Sequence, residues 1–316
     1  MNMNLRLLPS ALALALVACG APESPQAPAA QTAAPVDQPA EEVPPQSAAD
    51  VVQERLDGVL AGAWRSAGNR ARDAFRHPKE TLEFFGVKPG DTVVEITPGA
   101  GWYTEILAPL QKGSGRYIGA IPLDASSDYA AKGNARLREK LAGDADAYGE
   151  ATLVEFDPKA PSFGAPESAD VVLTFRNVHN WGDGAPAMFK GFFDVLKPGG
   201  TLGVVDHRAA AGATAESVAD SGYLPTDYVI GLATGAGFVL AGQSEINANP
   251  KDTKDHEKGV WTLPPSLALG DTDREKYLAI GESDRMTLKF VKPKGDGIFS
   301  QGAEAAAEDV AGKEGD

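Results

Sequence analysis

The sequence predicts an α/β protein: an open sheet of strands connected by helices that cover both faces. Two observations carry that expectation. Short β-branched apolar runs alternate along the chain with longer stretches of helical periodicity, the signature of repeated βαβ units. At the first alternation, Val93-Val94-Glu95-Ile96 ends in Thr97-Pro98-Gly99-Ala100-Gly101, and a helical pattern follows at Trp102, Ile106, Leu107 and Leu110. Glycines in such a turn let the backbone approach a ligand closely. The helix start beyond them offers free N–H groups to a polar or anionic group. A nucleotide-like ligand over the end of this first strand is therefore expected. Gly99-Ala100-Gly101-Trp102-Tyr103-Thr104 lacks the third glycine of a dinucleotide turn and the Lys-Ser/Thr ending of a phosphate loop.

The 316 residues are 23% charged and 43% hydrophobic, which suits one globular core plus tails. A formal charge of −15 and a pI near 4.7 argue against nucleic acid as a partner, since phosphate would be repelled. No apolar run of about 18 residues follows the N-terminus, so the body is not expected to span a membrane. At the N-terminus, Arg6 precedes an apolar stretch, and Leu16-Val17-Ala18-Cys19-Gly20 resembles a bacterial lipobox. That resemblance implies a lipoprotein signal peptide over 1–19, membrane attachment through a lipidated Cys19 only, and a position in the bacterial envelope facing the periplasm. The plainer alternative is a secretory signal with an incidental cysteine. Cys19 is the only cysteine, so the rest of the chain has no disulfide, cysteine-rich metal site or thiol nucleophile. Residues 20–50, rich in Pro, Ala, Gln and Glu, read as a disordered tether, residues 51–294 as the folded domain, and 295–316 as a disordered acidic tail.

Within the domain, 51–75 has one apolar helical face at Val52, Leu56, Val59, Leu60 and Trp64. His77-Pro78 separates it from a helix over 79–85. Strand one is 93–96. Strand two is 117–121, followed by a polar helical stretch over 125–148 with Tyr129, Leu137 and Leu141 on its buried face. Strand three is 151–157 and strand four 170–177, with Val178-His179-Asn180-Trp181 continuing over its end. An amphipathic helix spans 187–196, and Leu196-Lys197-Pro198-Gly199-Gly200 reads as a helix stop and tight turn into strand five, 203–208. A helix ends near Thr234, strand six starts at Phe238, and 247–283 reads as a polar insertion. Strand seven is 286–293.

This order of elements resembles the class I S-adenosylmethionine (SAM) dependent methyltransferases over about residues 70–293. Glu95, Gly99 and Gly101 match that family's first motif, with Thr97 in place of its first glycine. The runs Val87-Lys88-Pro89-Gly90-Asp91, Asp170-Val171-Val172 and Leu196-Lys197-Pro198-Gly199-Gly200 are shared as well. The chain looks most like the exported predicted methyltransferases of proteobacteria. The resemblance implies a Rossmann-like seven-stranded sheet with an antiparallel last strand, and SAM as cofactor. It places the methionine end of SAM near Glu95, Thr97, Pro98, Gly99 and Gly101, and the adenosine end near Asp124 and Asp157. Ile121 stands where the family has a ribose-binding acid, and Asp124 could substitute. Asp157 is equally well a turn residue before Pro158.

Open α/β sheets bind ligands at the carboxyl ends of their strands. Arg176, Asn177, His179 and Asn180 at and beyond the end of strand four, and Asp206-His207-Arg208 at the end of strand five, are polar groups at that edge. Arg176 is a cofactor candidate; Asn177, His179 and His207 are catalytic candidates. A histidine has the proton affinity of a general base near neutral pH; His207 could equally be a structural residue bonded to Asp206. Arg70, Arg72 and Arg76 form either a solvated face or a cover over the ligand mouth. No metal is expected. The function expected from the resemblance is SAM-dependent methylation of a small-molecule substrate by a monomer. The alternative is a non-catalytic exported lipoprotein that keeps the fold to bind another small ligand.

Overall fold

The computed structural model describes residues 47–294. The stretches read as signal peptide, tether up to residue 46 and acidic tail lie outside the described residues. Seven strands form one sheet in the order β3-β2-β1-β4-β5-β7-β6. They are β1 (Thr92–Ile96), β2 (Arg116–Pro122), β3 (Thr152–Phe156), β4 (Ala169–Phe175), β5 (Leu196–His207), β6 (Val239–Ser244) and β7 (Arg285–Val291). The first five run parallel, and β7 is antiparallel to both neighbours, as expected. Strand order reverses between β1 and β4, so a crevice opens beyond their carboxyl ends.

The helices are α1 (Ala48–Leu60), α2 (Ala67–Arg70), α3 (Asp73–Arg76), α4 (Pro78–Phe85), α5 (Thr104–Gln111), α6 (Asp128–Gly143), α7 (Ala145–Tyr148), α8 (Ala185–Val195), α9 (Thr226–Gly235) and α10 (Arg274–Ile280). Strand alternation sends successive side chains to two cores. Val94, Ile96, Val172, Leu202 and Val204 pack with Phe189, Phe192 and Val229 of α8 and α9. Val93, Tyr117, Val171, Leu173 and Val205 pack on the other face with Leu56, Leu82, Phe85, Ile106 and Leu107, from α1, α4 and α5. Burying these side chains on both faces, at roughly 25 cal/mol per Å² of apolar surface, is the main force closing the layers.

Four local expectations change. The helix starts at Ala48, inside the predicted tether, because Ser47 and Asp50 form a reciprocal capping box. The helical stretch over 51–75 is three helices: Gly62 follows the end of α1 and Ser66 caps α2 by accepting the Asn69 N–H. Tyr129 is 83% exposed, whereas Leu137 is fully buried. The Leu196–Gly200 run is no turn but the start of β5: Leu196 pairs with Ala169 and Thr201 with Val171, a wide bulge that takes up the glycines.

The insertion between β6 and β7 is tied down through buried Asp252. Its carboxylate accepts the Tyr223 hydroxyl (2.9 and 3.0 Å), the His256 ring N–H (2.9 Å) and the Asp284 N–H (2.7 Å). This folds Val260 and Trp261 back over the carboxyl end of β5.

Candidate functional site

The carboxyl ends of β1, β4 and β5 converge with the start of β7, which reaches the same edge because it runs the other way. At the end of β1, Thr97 has φ 49°, and Gly99 and Gly101 have φ 61° and 78°. Left-handed backbone is unusual for a β-branched residue and marks a locally strained turn of the kind held at functional sites. The two glycines do different work. A Cβ on Gly101 would come within 3.0 Å of Leu137 and 3.1 Å of Lys140, so this glycine admits α6. A Cβ on Gly99 would meet nothing within 4 Å, so this glycine faces open space at the mouth of the crevice. Pro98 O accepts the Gly101 N–H and fixes the turn. A bare backbone bend under open space fits a cofactor that lies against main chain.

Glu95 lies beneath that turn, only 3% exposed. It accepts hydrogen bonds from Tyr117 (2.6 Å) and Thr104 (3.0 Å). Burial raises its carboxyl to about 7 against the pull of those donors and of the Arg176 charge. Burial, together with the Glu95 charge and hydrogen bond, also pushes the Tyr117 hydroxyl well up, so Tyr117 stays a donor.

Asn177 joins β1 to β4 by donating to Ile96 O (2.9 Å) and Thr174 (3.2 Å). Arg176, at φ 61°, continues the β4–β5 ladder through its N–H to Val205 O. Tyr103 stacks on Phe175 with ring centroids 3.5 Å apart, bracing α5 against the end of β4.

At the end of β5, Asp206 is fully buried. Its Oδ2 accepts the Val178 N–H (2.8 Å); its Oδ1 accepts the His207 N–H (2.8 Å) and the His179 ring at Nδ1 (2.9 Å). A carboxylate only accepts, so Nδ1 of His179 carries the proton and Nε2 presents its lone pair. That lone pair faces the Asn180 amide at 3.1 Å. Burial would raise the Asp206 carboxyl, but His179 and His207 together hold it below its ordinary range. The ring paired with Asp206 is therefore His179 and not His207, whose own Nδ1 lies 2.5 Å from Ser283 Oγ. Burial holds His207 well below its usual range, so it stays neutral. The two rings are 5.0 Å apart, and Trp261 stands edge-on to His179 at 6.2 Å.

Donor atoms of His179, Asp206 and His207 fall within 4.8 Å of one another, a set that could hold a metal although the sequence suggested none. Both Asp206 oxygens are already committed to hydrogen bonds, so the arrangement is an oriented Asp–His pair before it is a ligand set.

The two acidic candidates for the adenosine end lie beyond β2 and β3. Asp124 accepts from Asn134 (2.7 Å) and from Arg138 (3.0 Å), and these bonds lower its carboxyl. Asp157 caps its own turn by accepting the Lys159 N–H at 2.9 Å. Glu282, Ser283 and Arg285 were not singled out from the sequence, and Asp206 was read only as a neighbour of His207. The charged run Glu282-Ser283-Asp284-Arg285 directly before an antiparallel strand was the available signal, since that placement puts it on the ligand edge. A cleft of about 410 Å³ lined by Phe163, Glu167 and Lys292 opens at the opposite, amino edge of the sheet.

No family model and no curated protein matches the chain. Among solved structures, a putative sarcosine dimethylglycine methyltransferase from Galdieria sulphuraria is 14% identical, with 72% of this chain and 89% of that chain covered and a TM-score of 0.50. A SAM-dependent methyltransferase from Aquifex aeolicus is 15% identical over 70% of this chain and 93% of its own, with a TM-score of 0.46. Phosphoethanolamine N-methyltransferase 2 of Haemonchus contortus, solved with SAM, is 17% identical over 76% and 60%, with a TM-score of 0.47. The chain has the methyltransferase fold. At these identities the likeness concerns the fold: the mixed seven-stranded sheet, its helical layers and its reversed last strand.

Proposed function

We propose that the protein is a SAM-dependent methyltransferase acting on a small-molecule acceptor. The observation that carries this reading is the juxtaposition of two things at one sheet edge. One is a strained Thr97–Gly101 turn with open space over Gly99; the other is an Asp206–His179 pair whose Nε2 lone pair faces the Asn180 amide. A fold with methyltransferase neighbours, one of them solved with SAM, supports the same cofactor here.

SAM supplies an electrophilic methyl group. The chain's own residues must position the acceptor and handle its proton. Thr97, Pro98, Gly99 and Gly101 would cradle the methionine end, with the buried Glu95 carboxyl beneath them. Asp124 and Asp157 lie on the adenosine side. His179 Nε2 is placed to take a proton from an acceptor hydroxyl or amine, and Asp206 holds its tautomer and stabilises the imidazolium that forms. His207 shapes the wall, and Asn177 fixes the distance between the β1 and β4 ends. Alignment of acceptor and methyl group supplies much of the rate.

The decisive experiment is calorimetric titration of SAM and S-adenosylhomocysteine into the full chain. Micromolar binding, lost in Gly99→Arg, is expected. Absence of heat and of any thermal shift at millimolar SAM sinks the reading. The alternative, a non-catalytic small-ligand-binding protein, is favoured by Ile121 at the end of β2 and by the engagement of Asp124 with Arg138. SAM binding with no turnover on any acceptor would select it.

Export is proposed from the lipobox-like Leu16–Cys19 run alone. Radioactive palmitate should label the expressed chain and fail to label Cys19→Ala; equal labelling rejects a lipid anchor at Cys19.

A further inference from the structure

Four arginines meet at the acceptor end of the crevice with one carboxylate between them. Glu282, 4% exposed, accepts from Arg72 Nε (2.6 Å) and Arg76 Nε (3.0 Å) and forms an ion pair with Arg285 (3.2 Å). Arg76 and Arg285 are 3% and 2% exposed. The fourth, Arg176, makes no side-chain hydrogen bond or ion pair within 4.0 Å among the described residues. Its charge nevertheless acts on Arg76, Glu282, Arg285 and His207.

A single carboxylate bridging three guanidinium groups explains how α3 and its capping residue Arg72 are stapled to the loop before β7. It does not explain the surplus of positive charge. A buried cation without a counter-charge is costly, and native structures pair or neutralise such groups. Two guanidinium nitrogens are also left over: Arg72 Nη2 and Arg76 Nη1 are buried and have no hydrogen-bond partner. The Trp102 ring, 4.7 Å from the Arg76 guanidinium carbon, offsets part of one charge by a cation–π contact and offers no acceptor to the free N–H. Unused donors and surplus charge together describe a receptor for a planar or tetrahedral oxyanion, which guanidinium groups bind in fork geometry.

We propose that the methyl acceptor carries an anionic group, a carboxylate or phosphate, which docks on Arg72, Arg76 and Arg176. This rests on the methyl-transfer reading above. Competition with S-adenosylhomocysteine separates the acceptor from the cofactor's own carboxylate. Arg285, the first residue of β7, pairs with His207 at the end of β5. The Glu282–Arg285 end of the cluster thus lies beside His207, while Arg76 lies over the Trp102 ring next to Gly101. His179 and the anion site would then grip two ends of one small molecule.

The test titrates inorganic phosphate into the full chain at constant ionic strength, alone and with saturating S-adenosylhomocysteine, against Arg176→Gln and Arg76→Gln. Saturable binding that persists with S-adenosylhomocysteine and weakens at least tenfold in either variant supports the proposal. Arg176 has no structural partner to lose, so its variant keeps the test valid if Arg76→Gln fails to fold. Absence of saturable phosphate binding overturns the proposal. Phosphate displaced by S-adenosylhomocysteine, but not by methylthioadenosine, also overturns it, because the site would then serve the cofactor's carboxylate. Phosphate binding in a protein that takes up no S-adenosylhomocysteine supports the anion site and rejects methyl transfer, so the two failures remain distinct.

Discussion

Replacing Glu95 by Gln should stabilise the protein, and only above about pH 5. In the unfolded chain a glutamate ionises near 4.5; in the fold, burial beneath the Gly99 turn moves Glu95 to about 7. The folded state therefore holds a proton that the unfolded state releases. The stability this proton contributes is complete below pH 4.5 and is lost as pH rises through 7. The interval is worth about 3 kcal/mol, at about 1.4 kcal/mol per pH unit. Glutamine keeps the shape and an accepting oxygen for Tyr117 and Thr104 but has no proton to lose. Urea unfolding of both proteins at intervals from pH 4.5 to 8.5 reads the difference directly, since other titrating groups contribute to both curves. The variant should gain on the wild type by about 2–3 kcal/mol across that range, most of it between pH 5 and 7. Curves that run parallel would refute the claim that Glu95 is held protonated, and with it the description of the turn's underside as dry.

Four further outcomes follow from the same geometry. Gly99→Arg should leave the urea midpoint within about 1 kcal/mol of wild type, because its side chain enters open space and only the left-handed backbone resists, while SAM binding by calorimetry disappears. His179→Asn should lower turnover by about 10²–10⁴ with little change in SAM affinity, and Asp206→Asn should shift the pH–rate profile because it no longer fixes the His179 tautomer. Glu282 titrates in the opposite sense to Glu95. Burial raises its carboxyl, but Arg76, Arg285, Arg176 and Arg72 bring it to about 2; its contribution is present above pH 4.5 and lost between 4.5 and 2, so Glu282→Gln should flatten the acid-unfolding curve in that window.

What the sequence made legible was local or periodic. All seven strands were recognisable because β-branched runs leave a period-two or fully apolar record, and each hydrophobic residue is its own evidence of burial. The Gly99 turn was legible because few sequences make a strand-to-helix bend without such residues. The errors also have local causes. Gly62 and Ser66 break a helix that apolar spacing alone would carry through, since hydrophobic spacing does not register a cap. Pro198 and the glycines after it can end a helix or bulge a strand, and the choice between them belongs to Ala169 and Val171, some thirty residues away. The site was half legible for the same reason. Residues following parallel strands could be assigned to the ligand edge from strand direction. The pairing of Asp206 with His179 instead of its neighbour His207 was beyond reach, because a residue adjacent in sequence points its side chain to the other face. Arg76 and Glu282 lie 206 positions apart and meet only because β7 reverses direction and brings its first residues back to the edge where β4 and β5 end. That reversal is itself written in the order of elements. A sequence reading that follows the antiparallel strand back to its start would have put Glu282, Ser283 and Arg285 beside His207 and asked what anion so many arginines await.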